Sequence, residues 1–151
     1  MKARGLVGHA LGKNPGDVWQ MPTSTYRGDH HAGFPLELIR RPLLASVPER
    51  VCVGCGTPWA RGPVRSVGRL AVQGELRARC SCGSAWNPGL VLDPFMGAGT
   101  VGVVAEDHQR DRLRIELNPE FAALAIGRIE AARAAHDSRS TSTCEEMPMA
   151  A

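Results

Sequence analysis

No apolar run in this chain approaches the roughly 20 residues that a membrane span needs. Behind Met1-Lys2-Ala3-Arg4-Gly5 there is no apolar signal core either. Both absences point away from a membrane and toward a reducing, cytoplasmic compartment. No internal repeat is visible. Neither sign of charge dominates: 18 basic against 15 acidic residues leave a net charge of +3. That balance is compatible with a nucleic-acid partner but does not argue for one by itself. What is present is 151 residues with a hydrophobic fraction of 43%, enough for one globular core and a small insert. Five cysteines in a reducing compartment suggest metal ligation rather than disulfides.

Residues 1 to 35 are rich in Gly, Pro and polar residues and read as extended segments and turns. Phe34-Pro35 then leads into a short helix over Leu36–Arg41, with Pro35 at its start and Pro42 disturbing its end. Residues 51–86 change character, carrying four cysteines, several glycines and arginines, and two tryptophans; this stretch reads as an insert. Gly89–Asp93 is a predicted buried strand, Gly99 to about Asp107 a helix, and Arg112–Glu116 a second strand. After Asn118-Pro119 a helix is predicted from Glu120 to about Ala135, with Phe121, Leu124, Ala125, Arg128 and Ile129 at helical spacing. From His136 onward the composition predicts a disordered tail, residues 136–151, in which Cys144 is a bystander. Strand, glycine turn, helix, strand, acid, helix is one βαβα half of a doubly wound α/β fold.

The chemistry concentrates at Val91-Leu92-Asp93-Pro94-Phe95-Met96-Gly97-Ala98-Gly99-Thr100. An apolar strand ends in Asp-Pro, turns through two glycines and opens a helix, which is where open α/β sheets bind ligands. Gly97, Gly99 and Gly102 satisfy a G-x-G-x-x-G spacing, and Glu116 lies 17 residues beyond Gly99, at the end of the next strand. An acid there can accept both hydroxyls of a ribose, so the expected ligand contains a nucleoside. A dinucleotide pyrophosphate needs the helix N-terminus free to meet negative charge. Asp93, immediately before the turn, suits a cationic group better, such as the α-amino group of S-adenosylmethionine. A dinucleotide-binding oxidoreductase fragment is the disfavoured alternative.

Asp93-Pro94-Phe95-Met96-Gly97-Ala98-Gly99-Thr100 followed by Ile115-Glu116-Leu117-Asn118-Pro119-Glu120-Phe121 resembles the cofactor-binding half of the DNA amino-methyltransferases, which methylate the exocyclic amine of adenine or cytosine. Asp17-Val18-Trp19-Gln20-Met21-Pro22 and His30-His31-Ala32-Gly33-Phe34-Pro35 are similar to the same family's segment around the methionine part of the cofactor. The resemblance covers residues 14 to 47 and 89 to about 130, in the arrangement where the catalytic half precedes the cofactor half. It implies a partial doubly wound Rossmann-like methyltransferase sheet, built from residues 1–50 and 87–135. It also implies S-adenosylmethionine as cofactor. Asp93 would face the methionine amino group, with Pro94, Phe95 and Thr100 in the same loop. Gly97 and Gly99 would let backbone approach the ligand, Glu116 would hold the ribose, and Phe34 and Pro35 would wall the methionine end. Trp19 and Phe34 read equally as core residues. His30 matches the family's histidine, whereas His31 stands where an aromatic is commoner.

The family's chemistry also needs an Asp/Asn/Ser-Pro-Pro-aromatic loop, which steers the lone pair of the target amine and stacks on a flipped base. No Pro-Pro dipeptide occurs here. Asn118-Pro119-Glu120-Phe121 imitates the loop but starts a helix, and Asn87-Pro88-Gly89-Leu90 lacks the aromatic. No catalytic residue is therefore assigned. The chain resembles a C-terminal fragment that would work on DNA with a separate chain supplying the catalytic loop and target-recognition region, in a bacterial or phage setting. On its own it is expected to be inactive. The second strand departs from the family pattern as well: Gln109-Arg110-Asp111-Arg112-Leu113-Arg114 puts two arginines on a parallel strand, where a charge is costly if both faces are buried.

Cys52-Val53-Gly54-Cys55-Gly56 and Cys80-Ser81-Cys82-Gly83 form a C-x₂-C pair, a 24-residue gap and a C-x-C pair. Each pair is followed by Gly, which permits the tight turn that wraps thiolates around a metal. Four thiolates suit a closed tetrahedral zinc site, so 51–86 is expected to be an inserted zinc ribbon ligating Zn²⁺ through Cys52, Cys55, Cys80 and Cys82. Arg61, Arg65, Arg69, Arg77 and Arg79, with Trp59 and Trp86, could contact DNA phosphates or form a solvated surface. The rival to a methyltransferase portion is a non-catalytic zinc-ribbon DNA-binding or interaction module on a vestigial scaffold.

Overall fold

The computed structural model describes residues 16–23, 33–67 and 70–142. His30, His31 and Cys144, singled out above, lie outside the described residues. In chain order the elements are α1 (Leu36–Ser46), β1 (Val51–Cys52), β2 (Ala60–Arg61), β3 (Arg65–Val67), β4 (Leu70–Val72), β5 (Leu76–Arg77), β6 (Trp86–Asn87), β7 (Leu90–Asp93), α2 (Thr100–Asp107), β8 (Asp111–Arg114) and α3 (Pro119–Ser142). They fall into two compact units. Pro48–Asn87 forms the body of the first; α1, together with the described residues from Pro88 onward, forms the second.

The first unit is a nested ladder of short antiparallel pairs. β1 pairs with β6, β2 with β5, and β3 with β4, so the chain runs out along one edge and back along the other. Gly62 donates its N–H to Glu75 O at 3.0 Å between the second and third pairs. A Cβ on Gly74 would fall 2.6 Å from the Gly62 carbonyl carbon, so only glycine permits the two backbones to cross this closely. Little is buried here: Cys52, at 2% exposure, is the one buried apolar residue of this unit among those described. Arg50 stacks over Trp86 at 3.9 Å and Trp59 at 5.2 Å from the ring centres, a cation–π sandwich standing where a larger domain would have a core.

In the second unit β7 and β8 pair in parallel, with Val91 beside Arg112 and Asp93 beside Arg114. Leu43, Val104 and Ala105 form a buried cluster joined by Ile39, Val47 and Val91, which packs α1 and α2 on one face of the sheet. α3 packs on α2 through Ala125 and Ile129, both essentially buried. The expected buried strand at 89–93 is covered on one face only. Leu90 and Leu92 are 62% and 60% exposed, and Leu113 on the neighbouring strand and Ile115 just past its end are 56% and 50% exposed. The period of two in a strand sends these four to the open face.

The same period sends Arg112 and Arg114 toward the helices. Arg112 is ion-paired with Glu106, which also receives Arg133 at 2.9 Å. Arg112 Nε and Arg114 Nη1 are buried without a hydrogen-bond partner, and burial lowers the Arg114 pKa, with Arg112 and Arg133 adding repulsion. The two strand arginines are thus held under the helices rather than relieved into solvent.

Two helices are longer than their sequences predict. α1 continues through Pro42 to Ser46 despite the N–H bond that the proline forfeits, and Ser46 Oγ donates to Pro42 O at 2.7 Å in the last turn. α3 runs to Ser142 rather than ending near Ala135. No Gly or Pro lies between 128 and 142 to stop it, so residues 136–142 correct the expectation of a tail beginning at His136.

Candidate cofactor site and thiol cluster

The glycine turn is built between β7 and α2. Asp93 closes the strand, and its Oδ1 accepts the Phe95 N–H at 3.2 Å, an Asx turn that the following Pro94 pre-sets. Met96 donates to Ile115 O at 3.0 Å, and Gly99 donates to Met96 O at 2.8 Å. Gly97 and Gly99 have φ of 49° and 77°, the left-handed region that costs an L side chain about 1 kcal/mol or more. At Gly99 space is also short, since a Cβ there would sit 2.7 Å from Ala125 Cβ. α3 reaches the turn a second time through Arg128, whose Nη1 donates to Ala98 O. Neither Ala125 nor Arg128 was assigned to the site by sequence; their helical spacing marked them only as one face of α3.

Glu116 stands just past β8. Its Oε2 accepts the Gly97 N–H at 2.8 Å and its Oε1 accepts the Asn118 N–H at 2.9 Å, tying the glycine turn to the loop that opens α3. Each carboxylate oxygen keeps a second lone pair for a hydroxyl. Asn118 Oδ1 in turn accepts the Glu120 N–H at 2.9 Å, which makes it the N-cap of α3 with Pro119 at the first helical position. The Asn-Pro-x-Phe sequence is therefore a helix start.

The carboxyl ends of two adjacent parallel strands thus present two carboxylates, Asp93 and Glu116, around one left-handed turn. Thr100 is buried at the start of α2, while Pro94 and Phe95 are exposed, Phe95 at 89%. Phe34 and Pro35 stand at the entrance to α1, whereas Trp19, which donates its indole N–H to Gly16 O at 2.9 Å, belongs to the first unit. A group with one cation and a vicinal diol fits this donor set. A pyrophosphate fits it poorly, because Gly97 already gives its N–H to a carboxylate.

In the other unit the sulfurs of Cys52, Cys55, Cys80 and Cys82 all lie within 4.8 Å of one another, and none is in a disulfide. Tetrahedral zinc with Zn–S bonds of about 2.3 Å would set them about 3.8 Å apart, so small side-chain shifts suffice to close the site. Gly56 and Gly83 have φ of 70° and 63°, the turns expected behind each pair. Cys52 donates its N–H to Thr57 O at 3.0 Å, and Gly56 donates to Cys52 O at 2.9 Å. Cys55 Sγ and Thr57 Oγ1 are hydrogen-bonded at 3.1 Å. Thr57, through side chain and backbone, draws the Cys55 pKa down to about 6, while Cys55 and Cys80 push Cys82 up to about 12. The spacing, turns and donor set all fit zinc.

Residues 2–127 match the family model described as DNA methylase. The chain is 33% identical over 119 residues to "Type II methyltransferase M.Cfr9I" of Citrobacter freundii, covering 78% of this chain and 27% of that protein. It is 29% identical over 129 residues to "Type II methyltransferase M.ScaI" of Streptomyces caespitosus, covering 80% and 30%. With "DNA adenine methyltransferase YhdJ" of Escherichia coli (strain K12) it shares 27% identity over 125 residues, covering 80% and 29%. The chain spans well under a third of the length of the relatives it matches. Among the described residues, no helix is long and apolar enough to cross a membrane.

Proposed function

The chain belongs to the DNA amino-methyltransferase family, and from that premise we propose that it is the S-adenosylmethionine-binding portion of such an enzyme. The observation that carries the reading is the pair of carboxylates around the glycine turn, with Glu116 occupying the Gly97 N–H that a phosphate would need. Asp93 receives the methionine ammonium, Glu116 the ribose hydroxyls, and Gly97 and Gly99 the close approach of backbone to ligand. Phe34 and Pro35 wall the methionine end, and Pro94, Phe95 and Thr100 complete the loop. When bound, the methyl donor supplies the sulfonium methyl that an exocyclic amine of adenine or cytosine attacks directly. No cysteine of this chain takes part in that transfer.

β7 and β8 are one parallel pair with an open apolar face, and parallel sheets are normally covered on both faces. In the active enzyme that face lies under polypeptide from outside these 151 residues, which brings the catalytic loop and the DNA target-recognition region, whether on a separate chain or not. The resulting sheet is doubly wound and Rossmann-like. Residues 51–86 form a zinc ribbon, with Zn²⁺ held by Cys52, Cys55, Cys80 and Cys82. The second reading, a non-catalytic zinc-ribbon module on a vestigial scaffold, is favoured by one observation: the orphaned buried nitrogen of Arg114.

Titration calorimetry with S-adenosylmethionine separates the two readings. Binding that weakens about tenfold to a hundredfold in Asp93→Asn, the range for a lost charge-assisted hydrogen bond, supports the first. No heat at millimolar ligand sinks it. DNA methylation by the chain alone would overturn the placement of the catalytic loop outside it.

A further inference from the structure

The insert concentrates positive charge that the cofactor site does not use. Between Pro48 and Asn87 there are six arginines, Arg50, Arg61, Arg65, Arg69, Arg77 and Arg79, against two acids, Glu49 and Glu75; the chain as a whole carries only +3. Both acids are already engaged. Glu49 takes Arg61 in a two-bond fork at 2.5 and 2.6 Å, and Glu75 takes Arg77 at 2.7 Å. Arg50 is stacked between the tryptophans. Arg69 lies outside the described residues, which leaves Arg65 and Arg79, both exposed and outside every ion pair among the described residues.

This charge is spread along the ladder, with Arg79 beside Cys80 at the thiol end. The cysteines sit around the β1–β6 end, and Arg61, Arg65 and Arg77 lie on the β2–β5 and β3–β4 pairs beyond it. There a shallow cleft of about 300 Å³ is lined by Arg65, Gly74, Glu75 and Arg77, among others. The glycines on which the two backbones cross keep this part of the ribbon thin. An arginine-bearing ribbon with both of its acids already paired matches the phosphate backbone of duplex DNA in sign. Its arginines offer forks suited to phosphate oxygens.

We propose that the ribbon binds the phosphates of duplex DNA, with Arg65 on its β3–β4 arm and Arg79 beside Cys80 as the contacting cations. It therefore anchors the substrate without reading bases. The proposal rests on the reading of the chain as part of a DNA methyltransferase, but its test does not depend on methyl-donor binding.

The test uses the full chain with zinc and a fluorescently labelled duplex, read by anisotropy between roughly 50 and 200 mM salt. Each phosphate contact contributes about 0.9 to the slope of log affinity against log salt. R65A/R79A should therefore flatten the slope by about 1.8 and weaken binding by tenfold or more at the low-salt end. R65K/R79K, which keeps two point charges, should retain most of the slope. R40A/R41A removes the same charge from α1 and should leave the slope unchanged. A wild-type slope in R65A/R79A, an equal loss in R40A/R41A, or no salt-dependent binding by the parent chain each overturns the proposal. Calorimetry with S-adenosylmethionine on R65A/R79A should match the parent, so a failed cofactor reading shows up separately.

Discussion

The two units hold themselves together by different means. The cofactor unit buries Leu43, Val103, Val104, Ala105, Ala125 and Ile129 between helices and sheet, whereas the ribbon buries one described apolar residue, Cys52. A segment of this size without a core normally relies on a metal or disulfides. The ribbon's six β-strands are two or three residues long, and such pairs are marginal in water. The difference teaches where each unit is vulnerable: the ribbon at four sulfurs, the cofactor unit at its close-packed turn and its open face.

The sharpest way to break the comparison is to take the sulfurs away. Chelation or Cys52→Ala should unfold the ribbon outright, since structural zinc contributes on the order of 10 kcal/mol to such units. Hydrogen exchange should then show lost protection along 51–87, while the amides of 103–105 stay protected. Retained protection in the ribbon would mean that its stability does not come from metal.

A smaller effect, confined to the other unit, is expected at the turn. Gly99→Val combines a left-handed φ with a Cβ that has no room beside Ala125, and should cost about 3 kcal/mol in urea unfolding. A loss below about 1 kcal/mol would show that α3 yields to the turn.

Arg114→Leu should act in the opposite direction. Removing a half-buried guanidinium with an orphaned nitrogen is expected to raise stability by about 1–2 kcal/mol, measured as a higher urea midpoint at unchanged slope. A loss instead would give Arg114 a partner in solution. The mildest change is Leu92→Ser on the open face. It should shift stability by less than about 0.5 kcal/mol while reducing self-association in analytical ultracentrifugation. A large loss of stability would mean that this face is already covered in the isolated chain.

Much of the site is legible in the sequence because local punctuation encodes it. Asp93-Pro94 and the glycines fix a turn because few other residues accept those dihedrals, and Asn118-Pro119 is a helix start by cap chemistry alone. The thiol cluster is legible for the same reason, since C-x₂-C and C-x-C followed by glycine restrict the backbone locally. The bond from the Gly97 N–H to Glu116 and the clamp of Arg128 on Ala98 are not legible. Each joins residues from different elements, and helical spacing shows that Arg128 shares a face with Ala125 without showing what that face meets. The facing of β8 is misleading for a related reason. A strand reading Arg-Leu-Arg invites leucine inward, yet the helices cover the arginine side and Leu113 is left on the open face.

The nested pairing of the ribbon has a consequence for how this chain can vary. Because each strand pair encloses the next, residues added between β3 and β4 lengthen the arm without moving any sulfur. Lengthening a closed loop is cheap, about 0.6 kcal/mol for each doubling. The arm can therefore be extended, trimmed or exchanged as a cassette, by evolution or by design, while the four cysteines keep their register.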